Sequence, residues 1–547
     1  MLLSKSRKDT LWQLVLIIFT QSLYAGVFFM VEGARTELKA DSRNLKSLPI
    51  DKRAAEIFGR RRIQQAITKR KDETATRIVN KSFAQVQERD LTKHPPVPYN
   101  ESEHPFIYYQ KHGRRLQSSE SFYRPLRITF DTSLLDSVYE TSSSDDQIRI
   151  NTIKNSILPQ LSSNLSNLLS VVPVYGNMPV ISSACFDYVS VNSNYVSDGV
   201  PNTDLIVFVQ ASITMFGQEM CCDTCTTLAA AATCETDQFD RPVSGLVNFC
   251  LNQIPLRFGS SSVNSADIED AISVAEHELT HVLGFHGLMF RFYRNPETGE
   301  PLTPRPFCTS IVACTDGTTY SNVIMPSSNT LRMVQSKHGD DFAFEITLPT
   351  VRQVARNHYD CQAVTGARLE NQPTSAGDCF GSHFEERLSY DEALSAFVPP
   401  EGIYYSPFTL ALLEDTGWYK ANFALAEITP WGHLAGCSFW DIDADCIVNG
   451  EIPDYSRGFF CNSLSQADLN TQEIKGDYQC HPDRTHMAVC DLFDMSSLNV
   501  ESPPSDRSYF PNPVSIIMVQ SHNATSLPLF LREHVMLLFA GLGALFS

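Results

Sequence analysis

The segment Ser273–Phe290 reads S-V-A-E-H-E-L-T-H-V-L-G-F-H-G-L-M-F, placing His277 and His281 four residues apart with Glu278 beside the first. On a helix of 3.6 residues per turn, positions i and i+4 share a face, so the two imidazoles can reach one ion. Nitrogen donors at this spacing suit Zn2+. Glu278 cannot share the bond direction of its neighbour and is free to take a proton from water activated by the metal. A catalytic zinc usually has three protein ligands and one open position, so the motif supplies two ligands and a general base and leaves one ligand to be found.

The element that must carry these residues is a helix beginning near Ser265, in S-A-D-I-E-D-A-I-S-V-A-E-H-E-L-T-H-V-L-G. Ser265 is the expected N-cap, acidic residues fill the first turn, and Gly284 is placed to end the helix in a left-handed conformation. Ile268, Ile272, Ala275, Leu279 and Leu283 recur at steps of three and four, giving a buried stripe beside the histidines. Third-ligand candidates downstream are His286, His338, His358, His383 and His433. The compact spacing H-E-x-x-H-x-x-G-x-x-H would put the last histidine at position 287, which is Gly287. A glutamate from a later helix is another candidate, although the Gly284-Phe285 turn favours the metzincin arrangement.

The chain of 547 residues is 43% hydrophobic and can bury a sizeable core, and its net charge of −19 offers no basic face for nucleic acid. Residues 1–25 combine Lys5, Arg7 and Lys8 with the apolar run from Leu11, the layout of a signal peptide or signal anchor. Residues 26–115 are charged, free of cysteine and end at the dibasic Arg114-Arg115, as expected of a pro-segment. All 15 cysteines fall at or after Cys185, which in an exported chain points to disulfides, and the odd count leaves at least one thiol unpaired or paired with another chain. Disulfides are also preferred to a zinc knuckle for Cys221–Cys225, and sequons at Asn80, Asn100, Asn164 and Asn523 suit export. Small residues from Asn523 and the apolar run Val535–Ser547 make residues 524–547 a candidate signal for a glycolipid (GPI) anchor.

The body opens with strand-like Y-R-P-L-R-I-T-F-D. An amphipathic helix follows, marked by Ile153, Ile157, Leu161, Leu165, Leu168 and Leu169 despite Pro159. Two further strands are expected in D-L-I-V-F-V-Q-A-S from Asp204 and G-L-V-N-F-C-L-N-Q-I from Gly245. The second is the candidate edge for pairing with an extended peptide.

The segments T-G-A-R-L-E-N-Q-P-T-S-A-G-D-C-F-G-S-H-F-E-E-R-L-S-Y-D-E-A-L and S-P-F-T-L-A-L-L-E-D-T-G-W-Y-K-A-N-F-A-L-A-E-I-T-P-W-G-H-L-A-G-C-S-F resemble the leishmanolysin family of metzincin-type surface metalloproteases. The likeness runs from about Pro125 to Cys446. It implies that an insertion separates the third histidine from the first two and that His383 is that ligand. It also implies Glu278 as general base and Gly284 as the turn carrying the chain under the metal. The expected fold is α+β, with a metzincin-like catalytic core, an inserted central domain and a disulfide-rich C-terminal domain. The expected boundaries are 116–290 for the catalytic subdomain with the zinc helix, 291–436 for the central domain and 437–523 for the cysteine-rich domain. The expected function is a zinc endopeptidase acting on protein substrates, secreted or held on the outer face of the plasma membrane by a lipid anchor. The alternative is a catalytically inactive surface adhesion protein. Two departures stand out. The family carries a methionine beneath the zinc eleven residues after the third histidine, where this chain has Leu394. The family's pro-segment carries a zinc-capping cysteine that is absent here, leaving His104 and His112 as candidates for that place.

Overall fold

The computed structural model describes residues 95–113, 122–222, 227–257, 259–314, 319–335, 342–370, 379–395 and 402–444, with short runs between 446 and 522. The expected signal peptide, most of the expected pro-segment including Arg114-Arg115, and the candidate anchor tail lie outside the described residues. Among the described residues, no helix is long and apolar enough to cross a membrane.

The sheet nearest the metal motif has four strands: β1 (Ile128–Asp131), β2 (Leu205–Gln210), β3 (Ala229–Thr233) and β4 (Ser244–Phe249). Their order is β1-β2-β4-β3. The first three in that order run parallel, and β3 pairs antiparallel with β4 through Leu246 opposite Ala232. Every residue of β2 and β4 is buried, which explains their near-continuous apolar runs, since a strand covered on both faces has no reason to alternate. The expectation that G-L-V-N-F-C-L-N-Q-I supplies a free edge is therefore corrected. It is an interior strand, and the edge is β3, whose alanines gave no strand signal because alanine is a poor strand former.

Helix α1 (Ser144–Thr152) and helix α2 (Leu158–Leu168) are joined by a π turn over Ile153–Ile157. Pro159 cannot donate a backbone hydrogen bond and would crowd the carbonyl four residues back, and the wider turn relieves both. Leu158 accordingly donates to the Ile153 carbonyl, five residues back. Ile153, Ile157, Leu161, Leu165 and Leu168 are buried as their spacing requires, and Leu169 is buried in the strand that follows.

Helix α3 (Ser265–Val282) carries the metal motif. Its N-cap is Asn264 rather than Ser265: Asn264 Oδ1 accepts from the Asp267 amide at 3.0 Å, and Ser265 is the first helical residue. Ala275, Leu279 and Leu283 are fully buried, with Ile268 and Ile272 packed at the margin. The helix lies close on the sheet because Gly245 of β4 has no side chain, and a Cβ there would sit 2.3 Å from Val282 Cγ1. Thr233 Oγ1 at the end of β3 donates to the Val282 carbonyl at 2.9 Å. Gly284 follows at φ +122°, and a Cβ there would lie 2.7 Å from a Trp418 ring carbon. Its carbonyl accepts from Tyr293 Oη at 2.8 Å.

Helix α4 (Pro349–His358) and helix α5 (Pro407–Asp415) pack together. The Asp415 carboxylate caps α4 by accepting from the amides of Thr350 and Val351 at 2.8 and 3.0 Å. Disulfides join Cys185–Cys234, Cys221–Cys250, Cys314–Cys379 and Cys361–Cys437.

Residues 97–112, which the sequence assigns to the pro-segment, are packed against this body. Val97 exchanges two 2.9 Å hydrogen bonds with the Gln238 side chain. Tyr99 Oη donates to Asp237 and accepts from Arg241 Nη2 at 3.0 Å. His104 is buried, stacks on Phe239 with ring centroids 4.5 Å apart, and caps the Pro105–His112 helix by accepting from the Phe106 amide on Nδ1.

Two outcomes are expected. Burial, reinforced by the Arg241 charge, holds His104 down at about 3. The unfolded chain therefore binds one proton more than the folded one between that value and about 6.5, and stability falls as pH drops through this window by up to about 1.4 kcal/mol per pH unit. His104→Asn keeps a capping acceptor without titrating, so hydrogen exchange over residues 97–112 should become less pH-dependent than in the parent. An unchanged profile would show that His104 does not govern this docking. Gly284→Ala should cost about 2–4 kcal/mol through backbone strain and the Trp418 overlap, read as a lowered thermal midpoint, and an unchanged midpoint would contradict the packing described.

Candidate metal centre

The helix brings His277 and His281 to one face, with Nε2 atoms 3.1 Å apart, and His383 enters from the other side with its Nε2 3.2 Å from that of His281. Among the described residues these three form the one group able to hold a metal ion, their donor atoms all within 4.8 Å of one another. A tetrahedral zinc with Zn–N of about 2.0–2.1 Å requires nitrogens roughly 3.3 Å apart, so the spacing suits that ion.

The proton positions agree. Nδ1 of His277 lies 2.6 Å from the Ala393 carbonyl, Nδ1 of His281 lies 2.6 Å from the Phe285 carbonyl, and Nδ1 of His383 lies 2.9 Å from Glu370 Oε1. A carbonyl or carboxylate oxygen can only accept, so each Nδ1 carries the proton and each Nε2 presents a lone pair to the common centre. Burial, with the neighbouring imidazoles, lowers His277 to about 3 and His281 well below its usual value, which keeps both neutral. Three converging lone pairs repel one another unless a cation lies between them, and the donor set therefore fits a zinc ion.

Glu278 sits on the same helix, directly after His277. Burial raises it to about 7, opposed by the nearby His383 and the backbone amide of Ala231. A carboxyl raised into this range is suited to exchanging a proton near neutrality.

Beneath His277 the chain turns at 391–395. Leu394 is fully buried, its amide donating to Glu392 Oε2 at 2.5 Å and its carbonyl accepting from the Phe384 amide at 2.8 Å. The buried Glu392 carboxylate also accepts from Ser406 Oγ and Thr409 Oγ1 at 2.8 and 2.6 Å. The turn that offers the Ala393 carbonyl to His277 is thus fixed by three hydrogen bonds to one side chain.

The other histidines lie elsewhere. His286 has its ring centroid 6.3 Å from that of His281 and stays outside the triad. His358 Nε2 donates to the Trp431 carbonyl at 2.8 Å, and His433 lies against the His358 ring. His338 is outside the described residues. His104 packs on Phe239 and His112 on Tyr108, so neither belongs to the metal group. Glu370, Glu392 and the carbonyls of Ala393 and Phe285 were not singled out from the sequence. Backbone carbonyls have no sequence signature, and the two glutamates look like any other surface acids until the fold buries them.

The family model for leishmanolysin, peptidase M8, matches residues 145–515, well over half of the chain. A leishmanolysin-like peptidase of Drosophila melanogaster is 30% identical over 308 residues, covering 54% of this chain and 41% of that protein. One of Caenorhabditis elegans is 30% identical over 312 residues, covering 54% and 43%. The leishmanolysin of Leishmania donovani is 28% identical over 320 residues, covering 58% and 42%. The matched stretch thus spans less than half the length of these relatives. With a model match over residues 145–515, the chain belongs to the leishmanolysin family.

Proposed function

We propose that the protein is a zinc-dependent endopeptidase with a metzincin-like core, in which His277, His281 and His383 hold the metal and Glu278 is the general base. The observation that carries this reading is the convergence of three lone-pair nitrogens on one point, with the Glu278 carboxyl raised toward neutrality beside them. Zinc held there would supply Lewis acidity toward a peptide carbonyl and a water molecule. Glu278 takes the proton from that water as the water oxygen attacks the carbonyl carbon, and gives it to the amine nitrogen as the C–N bond breaks. Strand β3 presents its free edge to an extended peptide, whose main chain it can pair by backbone hydrogen bonds. Its alanines at 229–232 leave side chains of the substrate unobstructed, which favours broad specificity.

Leu394 in place of the family's methionine is the feature that favours an inactive adhesion protein. Leucine fills a similar apolar volume, and swaps of this kind usually cost less than about 1.5 kcal/mol. The turn around it is held by backbone bonds and by Glu392, none of which needs the sulfur. The disulfides support export, and the sequence of residues 1–25 and 524–547 supports a secreted or lipid-anchored protein on the outer membrane face.

One panel of variants tests the reading. Glu278→Ala should keep stoichiometric zinc and lose roughly 10²–10⁴-fold in casein hydrolysis. His383→Ala should lose most of its zinc and essentially all hydrolysis, whereas His286→Ala should keep both. Near-parent activity in Glu278→Ala would remove the proposed base, and zinc loss in His286→Ala but not in His383→Ala would put the third ligand elsewhere.

A further inference from the structure

Two of the three imidazoles are fixed by a helix, where the i, i+4 relation sets their separation. The third stands on a turn and has no such constraint. His383 is also the more exposed, its side chain 22% accessible, so something else must fix it. We propose that Glu370 is the positioning residue that does so, and that its negative charge strengthens the donor nitrogen of His383. The proposal rests on the zinc reading given above.

Strand β5 (Phe342–Ile346) pairs antiparallel with strand β6 (Ala367–Arg368), Glu345 facing Arg368. The two residues after β6 then run antiparallel to the segment bearing His383: Leu369 bridges Phe384, the Glu370 amide donates to the His383 carbonyl at 3.0 Å, and the Glu385 amide donates to the Arg368 carbonyl at 3.0 Å. Glu370 is thereby anchored to a sheet while facing the turn. A single oxygen, Oε1, accepts three N–H groups: the amides of Ser382 and His383 at 2.8 and 3.1 Å and His383 Nδ1 at 2.9 Å. The amides fix the backbone of the turn and Nδ1 fixes the ring, so one carboxylate sets both the place and the rotation of the imidazole. Oε2 is buried and has no hydrogen-bond partner among the described residues, so the hydrogen bonds this carboxylate accepts all fall on Oε1.

The surroundings are shaped for this carboxylate. Gly381 has φ +81°, and a Cβ there would lie 2.7 Å from Glu370 Cγ and 2.8 Å from its carbonyl oxygen. Ser382 Oγ accepts from the Gly287 amide at 3.1 Å, tying the same turn to the chain just past His281. The acceptors behind His277 and His281 are neutral carbonyls, whereas His383 alone has a carboxylate. A carboxylate on Nδ1 raises the basicity of a metal-binding imidazole, and losing such a partner typically costs about 10–100-fold in metal affinity.

The test uses the full chain and measures zinc affinity by competition with a chromogenic chelator, with thermal unfolding of the metal-free forms alongside. Glu370→Gln keeps the size and one accepting oxygen but removes the charge. It should bind zinc about 10-fold more weakly than the parent while its metal-free form melts within a few degrees of it. Glu370→Ala and Gly381→Ala, which remove or displace the acceptor, should fall further toward His383→Ala. Glu370→Gln at parent affinity would overturn the proposal whatever the other variants do, because shape alone would then suffice. A parent chain that holds no zinc would overturn the metal reading first and this proposal with it, an outcome distinguished by metal analysis of the parent before any variant is compared.

Discussion

Three imidazole lone pairs must meet at one point, and only two of them can come from one helix. The 3.6-residue period brings His277 and His281 together at no cost beyond the helix itself. The third nitrogen has to be carried in by chain that is remote in sequence, at His383, and the rest of the site is organised around delivering and holding it. The disulfide from Cys314 to Cys379 fastens the returning chain four residues before His383, and the short ladder from Leu369 to Phe384 aligns it. The 391–395 turn then passes beneath and offers the Ala393 carbonyl to His277, so the segment that brings the third histidine also orients the first.

The helix must in turn be held at a fixed depth on the sheet, because a shift of its axis would move His277, Glu278 and His281 together. Small residues accomplish this. Gly245 lets Val282 approach β4, and Gly284 lets the chain turn against Trp418. Thr233 ties the end of edge strand β3 to the last helical carbonyls, those of His281 and Val282. Edge strand β3 and the helix that bears Glu278 are consequently tied together, which is the placement that the proposed peptide hydrolysis calls for.

What could be read from the sequence follows from which interactions are local. The helix bearing His277 and His281, its buried stripe and the need for glycine at 284 are set by residues within one or two turns of one another, and a periodic pattern records them. The π turn at Ile153–Ile157 was half legible: the apolar spacing survived Pro159, but the wider turn that accommodates it leaves no mark in residue types. The N-cap fell one residue early because Asn264 and Ser265 are both good caps and only backbone geometry decides between them. The edge of the sheet was misplaced because strand order is a matter of long-range pairing, and a run of alanines carries none of the β-branched or aromatic signal that marks a strand. His383 was reached through family likeness, since spacing alone left several histidines and a glutamate open.

The packing of residues 97–112 extends the same logic to the amino-terminal part of the described chain. Tyr99, His104 and Phe106 close around Phe239 and Arg241, and Gly299 leaves the space that the Phe106 ring occupies. The Phe239 carbonyl accepts from Trp418 Nε1 at 2.9 Å, and Trp418 is the ring on which Gly284 turns. This segment therefore meets the body behind the turn that ends α3, not among the three histidines. Its contacts bear on how firmly the Trp418 ring is seated, and through that ring on where Gly284 directs the chain after His281. Residues remote from the three histidines thus support the placement of His281 through a short chain of packed groups, with Phe239, Trp418 and Gly284 buried along it.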